Sequence, residues 1–386
     1  MFDDLFYPKE RKGLWTKEMI LLSLSNFFLY ISLYIFLPSL PYWLTNQFGY
    51  SLVISSIVMA SFAIAIFIPG PFNNYLLDAF KRKKVAFWSF VLLGLSALGY
   101  IGAVSLCIVL ALRIVQGILF SIITTTTSST LLIDITPTNK RTIANLTFTR
   151  VGRSGMMIGV VIGIYLLDNY EVNMLFYISA ALTLLSCFTI LFIRVPFRAP
   201  LKPSFFSLDR FLLPRVLPAA VNMISTPIIL GILITMLQVN VSFLSLALGF
   251  TIGFILMHVL FKNLQGKSEL ELSTSLIVIG CLLIMITSSI IISYIGYVLL
   301  GTGLSIAANR FYVIIISMPL HCERGSANNT YNLIWELGIL IGIVIGFSFD
   351  GSTIAELLVS IAIALISLFL YEFKIHKWYY SLMDNK

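Results

Sequence analysis

Charge is scarce in this chain. Only 11% of its 386 residues are Asp, Glu, Lys or Arg, against about 25% in an ordinary soluble domain. No stretch is polar enough to form a separate water-soluble domain, and no glycine-rich phosphate loop is present. An enzyme or an ATP-driven machine built into this one chain is therefore not expected. Energy for any transport would come from an ion or substrate gradient, or from a partner. Histidine occurs three times and cysteine four times, at Cys107, Cys187, Cys281 and Cys322. The cysteines have neither metal-ligand spacing nor a pairing pattern, so they read as packing residues, and no metal or cofactor is expected. The first apolar run follows a mixed-charge stretch and lacks a small-residue cleavage site, so no cleavable signal peptide is expected.

Apolar sequence is abundant. Hydrophobic residues make up 59% of the chain and its mean hydropathy is +0.97. They gather in runs of roughly 20 residues, the length of a helix that crosses a ~30 Å hydrocarbon core. Twelve such spans fall at about 18–44, 51–77, 84–104, 107–133, 142–167, 172–194, 213–237, 241–261, 272–290, 293–318, 326–348 and 353–372. A transmembrane β-barrel is excluded, because its segments would be near 10 residues and alternating. The expected class is an all-α polytopic membrane protein.

The net charge of +8 does not point to nucleic acid. Every basic residue outside a span falls on the side of the N-terminus: Lys9 to Lys17, Lys81 to Lys84, Lys140 and Arg141, Arg194 to Arg215, Lys262 and Lys267, Arg324, and Lys374 to Lys386. The opposite loops carry no Lys or Arg. This is the positive-inside bias, and it predicts both termini in the cytoplasm. A Pro- and Arg-containing stretch, 195–212, separates six spans from six. The expected organisation is a cytoplasmic N-terminus at 1–17, an N-terminal six-helix bundle at 18–194, a cytoplasmic linker at 195–212, a C-terminal six-helix bundle at 213–372 and a cytoplasmic C-terminus at 373–386.

The two halves repeat. Residues 324–346, RGSANNTYNLIWELGILIGIVIG, match 141–163, RTIANLTFTRVGRSGMMIGVVIG, at an offset of 183. Arg141, Ala144, Asn145, Gly155, Gly159 and Gly163 recur as Arg324, Ala327, Asn328, Gly338, Gly342 and Gly346. An offset that maps the fifth span onto the eleventh makes the halves parallel repeats about an axis along the membrane normal. Small residues four apart form a flat stripe that lets helices pack closely. At one matched position the charge inverts, Arg153 against Glu336. Each lies twelve residues beyond its arginine, which places it about 18 Å into the helix, near the midplane.

Charges at that depth are costly and point to function. Glu336 is the candidate proton acceptor, with Arg153 as its tuning partner; a static bridge to Arg153 or Arg310 that locks the halves is the competing reading. Asn26, Tyr30 and Tyr34 share one face of the first span, and Asn222 and Thr226 share one face of the seventh. If the two faces meet across a cavity, they supply hydrogen bonds and aromatic surface to a substrate, and Arg310 supplies a charge for an anionic group. Arg310 and Arg150 are each also placed to snorkel towards the interface. Thr124 to Thr130 reads as a polar vestibule lining.

Twelve spans in parallel halves resemble the major facilitator superfamily, and local motifs add to the likeness. Residues 74–84, NYLLDAFKRKK, are similar to that family's G-x-L-x-D-R/K-x-G-R-R/K loop, with Asp78, Arg82 and Lys83 at matching positions; Asn74, Ala79 and Lys81 depart from it. Arg113-Ile114-Val115-Gln116-Gly117 resembles the R-x-x-Q-G motif of the drug:proton antiporter branch. Gly155, Gly159 and Gly163 resemble that branch's glycine motif, with Val160 where its proline stands. Pro38-Ser39-Leu40-Pro41 also looks like the exporter branch. The resemblance implies a fold of two pseudo-symmetric six-helix bundles, a cavity lined by helices 1, 4, 7 and 10, and helices 5 and 11 packed across the interface on 8 and 2. It also implies Asp78, Arg82 and Lys83 as a conformational latch and Arg113 as a proton-coupling residue. The resulting expectation is a secondary active transporter that exports a small amphipathic or organic solute against protons by alternating access. It would act as a monomer in the inner or plasma membrane. A proton-driven importer of a sugar or organic acid, a lipid flippase of the same fold and a non-transporting sensor are the alternatives.

Overall fold

The structure, a computed structural model, describes residues 13–195, 204–208, 211–236, 240–259, 266–287, 289–319, 323–349 and 351–384. Residues 1–12, residues 196–203 and 209–210 of the expected linker, and Cys322 lie outside the described residues. Among the described residues there are helices and no strands.

The helices are α1 (Lys17–Phe48), α2 (Leu52–Ala79), α3 (Arg82–Gly102), α4 (Leu106–Ile135), α5 (Arg141–Asn169), α6 (Asn173–Leu191), α7 (Pro214–Met236), α8 (Asn240–Val259), α9 (Gly266–Ile286), α10 (Ile290–Ser317), α11 (Arg324–Phe347) and α12 (Thr353–Ser381). Eleven are long and apolar enough to cross a membrane, and α8 carries a shorter apolar stretch, Ser242–Met257. The fold is the expected twelve-helix bundle pair. Large apolar side chains such as Ile64, Trp88, Leu95 and Ile286 are exposed on its outside, the surface that hydrocarbon covers.

Local chemistry sets the helix ends and breaks. Thr16 caps α1 by accepting from Met19 N at 3.2 Å. α1 breaks at Ile35, between segments Lys17–Tyr34 and Phe36–Phe48. Pro38 lacks the N–H that would bond back to Tyr34, and Ser39 Oγ donates instead to Ile35 O at 2.8 Å. α1 ends at Gly49, whose φ of +73° is a left-handed cap. α2 is interrupted by the turn Gly70–Phe72 beside Pro69 and Pro71. In α4 the Thr/Ser run loosens the ladder to a π-turn at Thr127–Leu131. Thr124, Thr126, Thr127, Ser128 and Thr130 each donate to the carbonyl four residues back, the side-chain competition that bends helices. In this closed form the whole run is buried, most of its hydroxyls bond back to their own helix, and Thr124, Thr127 and Ser128 line a small polar void.

Within the first half α1 packs on α5 and α6, α3 on α4 and α6, and α2 on α4; within the second, α7 packs on α11 and α12, α10 on α8 and α9, and α9 on α12. Across the halves α5 meets α8 and α11 meets α2. The repeated glycines serve the contacts inside each half. A Cβ on Gly155 would lie 2.5 Å from Phe27 O of α1, and one on Gly159 2.8 Å from Ile31 O. On the other side, Cβ atoms on Gly338 and Gly342 would meet Ile224 and Ile228 of α7. In hydrocarbon no hydrophobic force drives helices together, so such backbone approach supplies the attraction.

The halves touch at three levels. At the end that carries both termini, Thr125 of α4 donates to Asn329 of α11 at 3.0 Å, and Ser129 donates to Gly325 O at 2.8 Å. At the opposite end Tyr42 packs edge-on against Phe347, with ring centroids 5.7 Å apart. Between these levels lies the charged centre.

Candidate functional site

Arg153 and Glu336 meet. Arg153 Nη1 donates to Glu336 Oε1 at 3.1 Å, and the two side chains are 1% and 4% exposed. The inverted position of the repeat therefore forms a direct ion pair between α5 and α11. Tyr34 OH, at the end of the first α1 segment, donates to Glu336 Oε2 at 2.5 Å. Arg153 Nη2 donates to Asn332 Oδ1 at 3.2 Å. Both carboxylate oxygens thus have a donor, as a buried charge requires.

Aromatic rings enclose the guanidinium. Its carbon lies 4.2 Å from the Trp335 ring centroid, 5.3 Å from Tyr30 and 5.4 Å from Tyr331. These rings present their negative faces to the cation while keeping water out. Tyr30 stacks on Tyr34, and Tyr331 meets Tyr312 of α10 edge-on. Two small voids lie near the pair, each with space for about one water, and one of them is lined by Arg153 itself. One is lined by Asn26, Tyr30, Thr127, Ser128 and Asn332. The other is lined by Arg150, Arg153, Phe254, Asn309, Tyr312 and Tyr331.

Of the expected cavity residues, Tyr30 and Tyr34 reach the pair. Asn26 sits below it and donates to Phe148 O of α5 at 3.0 Å. Asn222 is turned the other way, accepting from Ser367 of α12 at 3.1 Å. Thr226 is buried in α7, and neither α7 residue lines the voids beside the pair. The α1 face meets α5 and α11, not the polar face of α7, because α7 is pressed on α11 through glycine contacts.

Arg310 does not face the centre. Its Nε lies 3.7 Å from Glu269 Oε2 of α9, and its guanidinium lies 5.9 Å from the Tyr379 ring of α12. Gly266 leaves the room it occupies, since a Cβ there would strike the guanidinium. Arg150 does not snorkel to the interface; it crosses the halves, with Nη2 2.7 Å and Nε 3.2 Å from Asn309 Oδ1 of α10. Arg113 is likewise apart from the pair. It donates to Gln116 Oε1 at 3.2 Å and lies against the rings of Phe36 and Tyr100.

The loop after α2 organises the terminal end of the first half. Arg82 bonds Asp78 at 3.3 Å and Asp134 of α4 at 2.5 Å. Lys83 Nζ donates to Leu191 O and Ile193 O after α6, at 2.6 and 2.9 Å. These bonds tie α2, α3, α4 and α6 together. Asp134, Asn332, Trp335, Tyr331 and Asn309 were not singled out from sequence. Asn332 carried a usable signal, standing four residues before Glu336 on the same helix face.

Parallel helical repeats that meet around a buried ion pair are the architecture of secondary transporters. The chain belongs to the Major Facilitator Superfamily, whose sequence profile matches residues 22–343. Similar solved structures include the human organic anion transporter MFSD10 (TETRAN), with 14% identity and a TM-score of 0.69 over 94% of this chain and 100% of that one. A variant of the nucleoside transporter NupG has 13% identity and a TM-score of 0.67 over 92% of this chain and 98% of that one. At these identities the likeness is one of fold. No curated protein matches the sequence.

Proposed function

We propose that this transporter couples solute movement to protons, with Glu336 as the proton acceptor. The observation that carries the reading is the Arg153–Glu336 pair with Tyr34 as second donor, a single carboxylate held between the halves at 3.1 and 2.5 Å. When the halves part, α5 and α11 separate and the ion pair breaks; a proton taken up by Glu336 would then replace Arg153 as its counter-charge. Rejoining Arg153 favours proton release. Alternating access would thus change proton affinity with conformation, which is what coupling requires. The six-helix units of the two halves act as the moving bodies, and the positively charged terminal end faces the cytoplasm of the cell membrane.

Export of a small amphipathic solute is the direction the antiporter-like stretches around Arg113 and Pro38–Pro41 imply. The geometry adds no support from Arg113, whose contacts lie inside the first half. A static bridge is the second reading, favoured by the burial of both partners. Reconstitution of the full chain in liposomes with an imposed pH gradient, and a panel of labelled solutes on either side, tests all of this. Gradient-driven flux in the wild type and its loss in Glu336→Gln are expected. Full gradient-driven flux in Glu336→Gln removes the coupling role and leaves the bridge.

A further inference from the structure

We propose that the solute is a small organic anion whose acid group binds between Arg150 and Arg153; this rests on the central site being the transport site. The two arginines stand one turn apart on α5 and line the same void, between α5, α8, α10 and α11. No Asp or Glu lines that void. Arg150 has a neutral partner, Asn309, and Arg153 has Glu336. Two guanidiniums, Arg153 buried and Arg150 partly buried, face one carboxylate and leave one positive charge in excess within the helix bundle, an arrangement that is costly without a counter-charge. Arg153 Nε, fully buried, has no hydrogen-bond partner. A monoanion held there would balance the charge and give the guanidiniums a planar, two-oxygen acceptor.

The remaining walls describe the rest of the ligand. Phe254, Tyr312 and Tyr331 offer ring surface, with hydrogen-bonding capacity limited to Thr149, Asn309 and the tyrosine hydroxyls. That suits a carboxylate attached to an apolar or aromatic body more than a polyol. The void is water-sized in this conformation. A ligand therefore enters when the Arg150–Asn309 bond between α5 and α10 opens, and its acid group takes the place of the Asn309 oxygen. Asn309 is then a closing bond that the substrate replaces.

Thermal unfolding of the purified full chain, with benzoate, benzamide and benzylamine as probes, separates the charge classes on one ring. Saturable stabilisation by benzoate and none by the amide or amine is expected. Arg150→Gln is expected to weaken benzoate binding on the order of tenfold or more, the loss of charge-assisted bonds, with Arg150→Lys retaining more of it. Glu336→Gln, which removes the competing carboxylate from Arg153, is expected to bind benzoate more tightly than the wild type. Stabilisation by benzylamine in preference to benzoate, no benzoate effect at millimolar concentration, or equal benzoate affinity in a folded Arg150→Gln protein overturns the proposal. The probe series on the wild type decides it even if the variant does not fold. Failure of proton coupling reads out separately, as gradient-driven flux that survives Glu336→Gln while benzoate binding stands.

Discussion

Tyr34 and Glu336 are joined by a 2.5 Å hydrogen bond that runs from the break in α1 to the middle of α11. The donor sits where α1 ends its first segment, so the helix break and the charged centre are mechanically linked. Tyr34→Phe keeps the ring that stacks on Tyr30 at 5.7 Å and removes only the hydroxyl. It leaves a buried carboxylate oxygen without its donor, a cost of about 1–3 kcal/mol. A lower melting temperature and reduced pH-gradient-driven flux are expected, with membrane expression retained. Unchanged flux would show that the bond plays no part in the cycle.

The Arg153–Glu336 pair predicts an asymmetry between single and double variants. Arg153→Ala or Glu336→Ala leaves one buried charge uncompensated, a loss of about 3–5 kcal/mol. Exchanging the charges, Arg153→Glu with Glu336→Arg, restores neutrality but places the guanidinium beside Tyr34 instead of in the ring of Trp335, Tyr30 and Tyr331. The exchanged protein is expected to recover much of the lost melting temperature but not flux. Recovery of both would mean that only the presence of a pair matters, not its orientation.

How much of this was readable from sequence follows from what each feature depends on. The twelve helices and the parallel halves were legible because span length and the repeat at offset 183 are local or self-referential. The Arg153–Glu336 meeting was legible for the same reason, as an inverted position of a duplicated helix. The partners of Arg310 and Arg150 were not legible, because the direction of a long side chain depends on where a neighbouring helix leaves room. Gly266 opens a path for Arg310 towards α9, and Asn309 offers Arg150 an acceptor on α10. Asn222 failed for a related reason, since periodicity gives a shared face but not which helix that face meets. Polarity alone did not reveal how the threonine run of α4 is used: most of its hydroxyls bond back to their own helix, while Thr125 and Ser129 reach α11.

The glycine stripe of α11 predicts a graded steric series. A Cβ at Gly338 would come within 2.6 Å of a Pro227 ring carbon, which can yield only by a change of pucker; one at Gly342 would come closer still to the backbone carbonyl of Ile228, which is fixed in its helix. Gly342→Ala is therefore expected to destabilise more than Gly338→Ala, by about 1–3 kcal/mol from overpacking, and Gly342→Leu to prevent monodisperse purification. Size-exclusion profiles and melting curves of the three variants check the order.

The expected linker supplies a wedge between the halves at the terminal end. The Phe211 ring occupies the space that a side chain at Gly70 would fill, and it meets Phe67 edge-on with centroids 6.3 Å apart. Its carbonyl accepts from Asn329 at 3.1 Å, the same residue that accepts from Thr125 at 3.0 Å, while Leu213 N donates to Thr330 at 2.9 Å. Phe211 is thus bound to α2 and α11 at once and holds the terminal end shut. Phe211→Ala removes the ring contacts with α2 while keeping the backbone bonds, and it should shift the population towards forms open at that end. Cysteines introduced at Ser129 and Gly325, in a background lacking the four native cysteines, report that population by cross-linking. Slower cross-linking in Phe211→Ala than in its parent is the expected result, and an equal rate would show that the α4–α11 contacts close this end without the wedge.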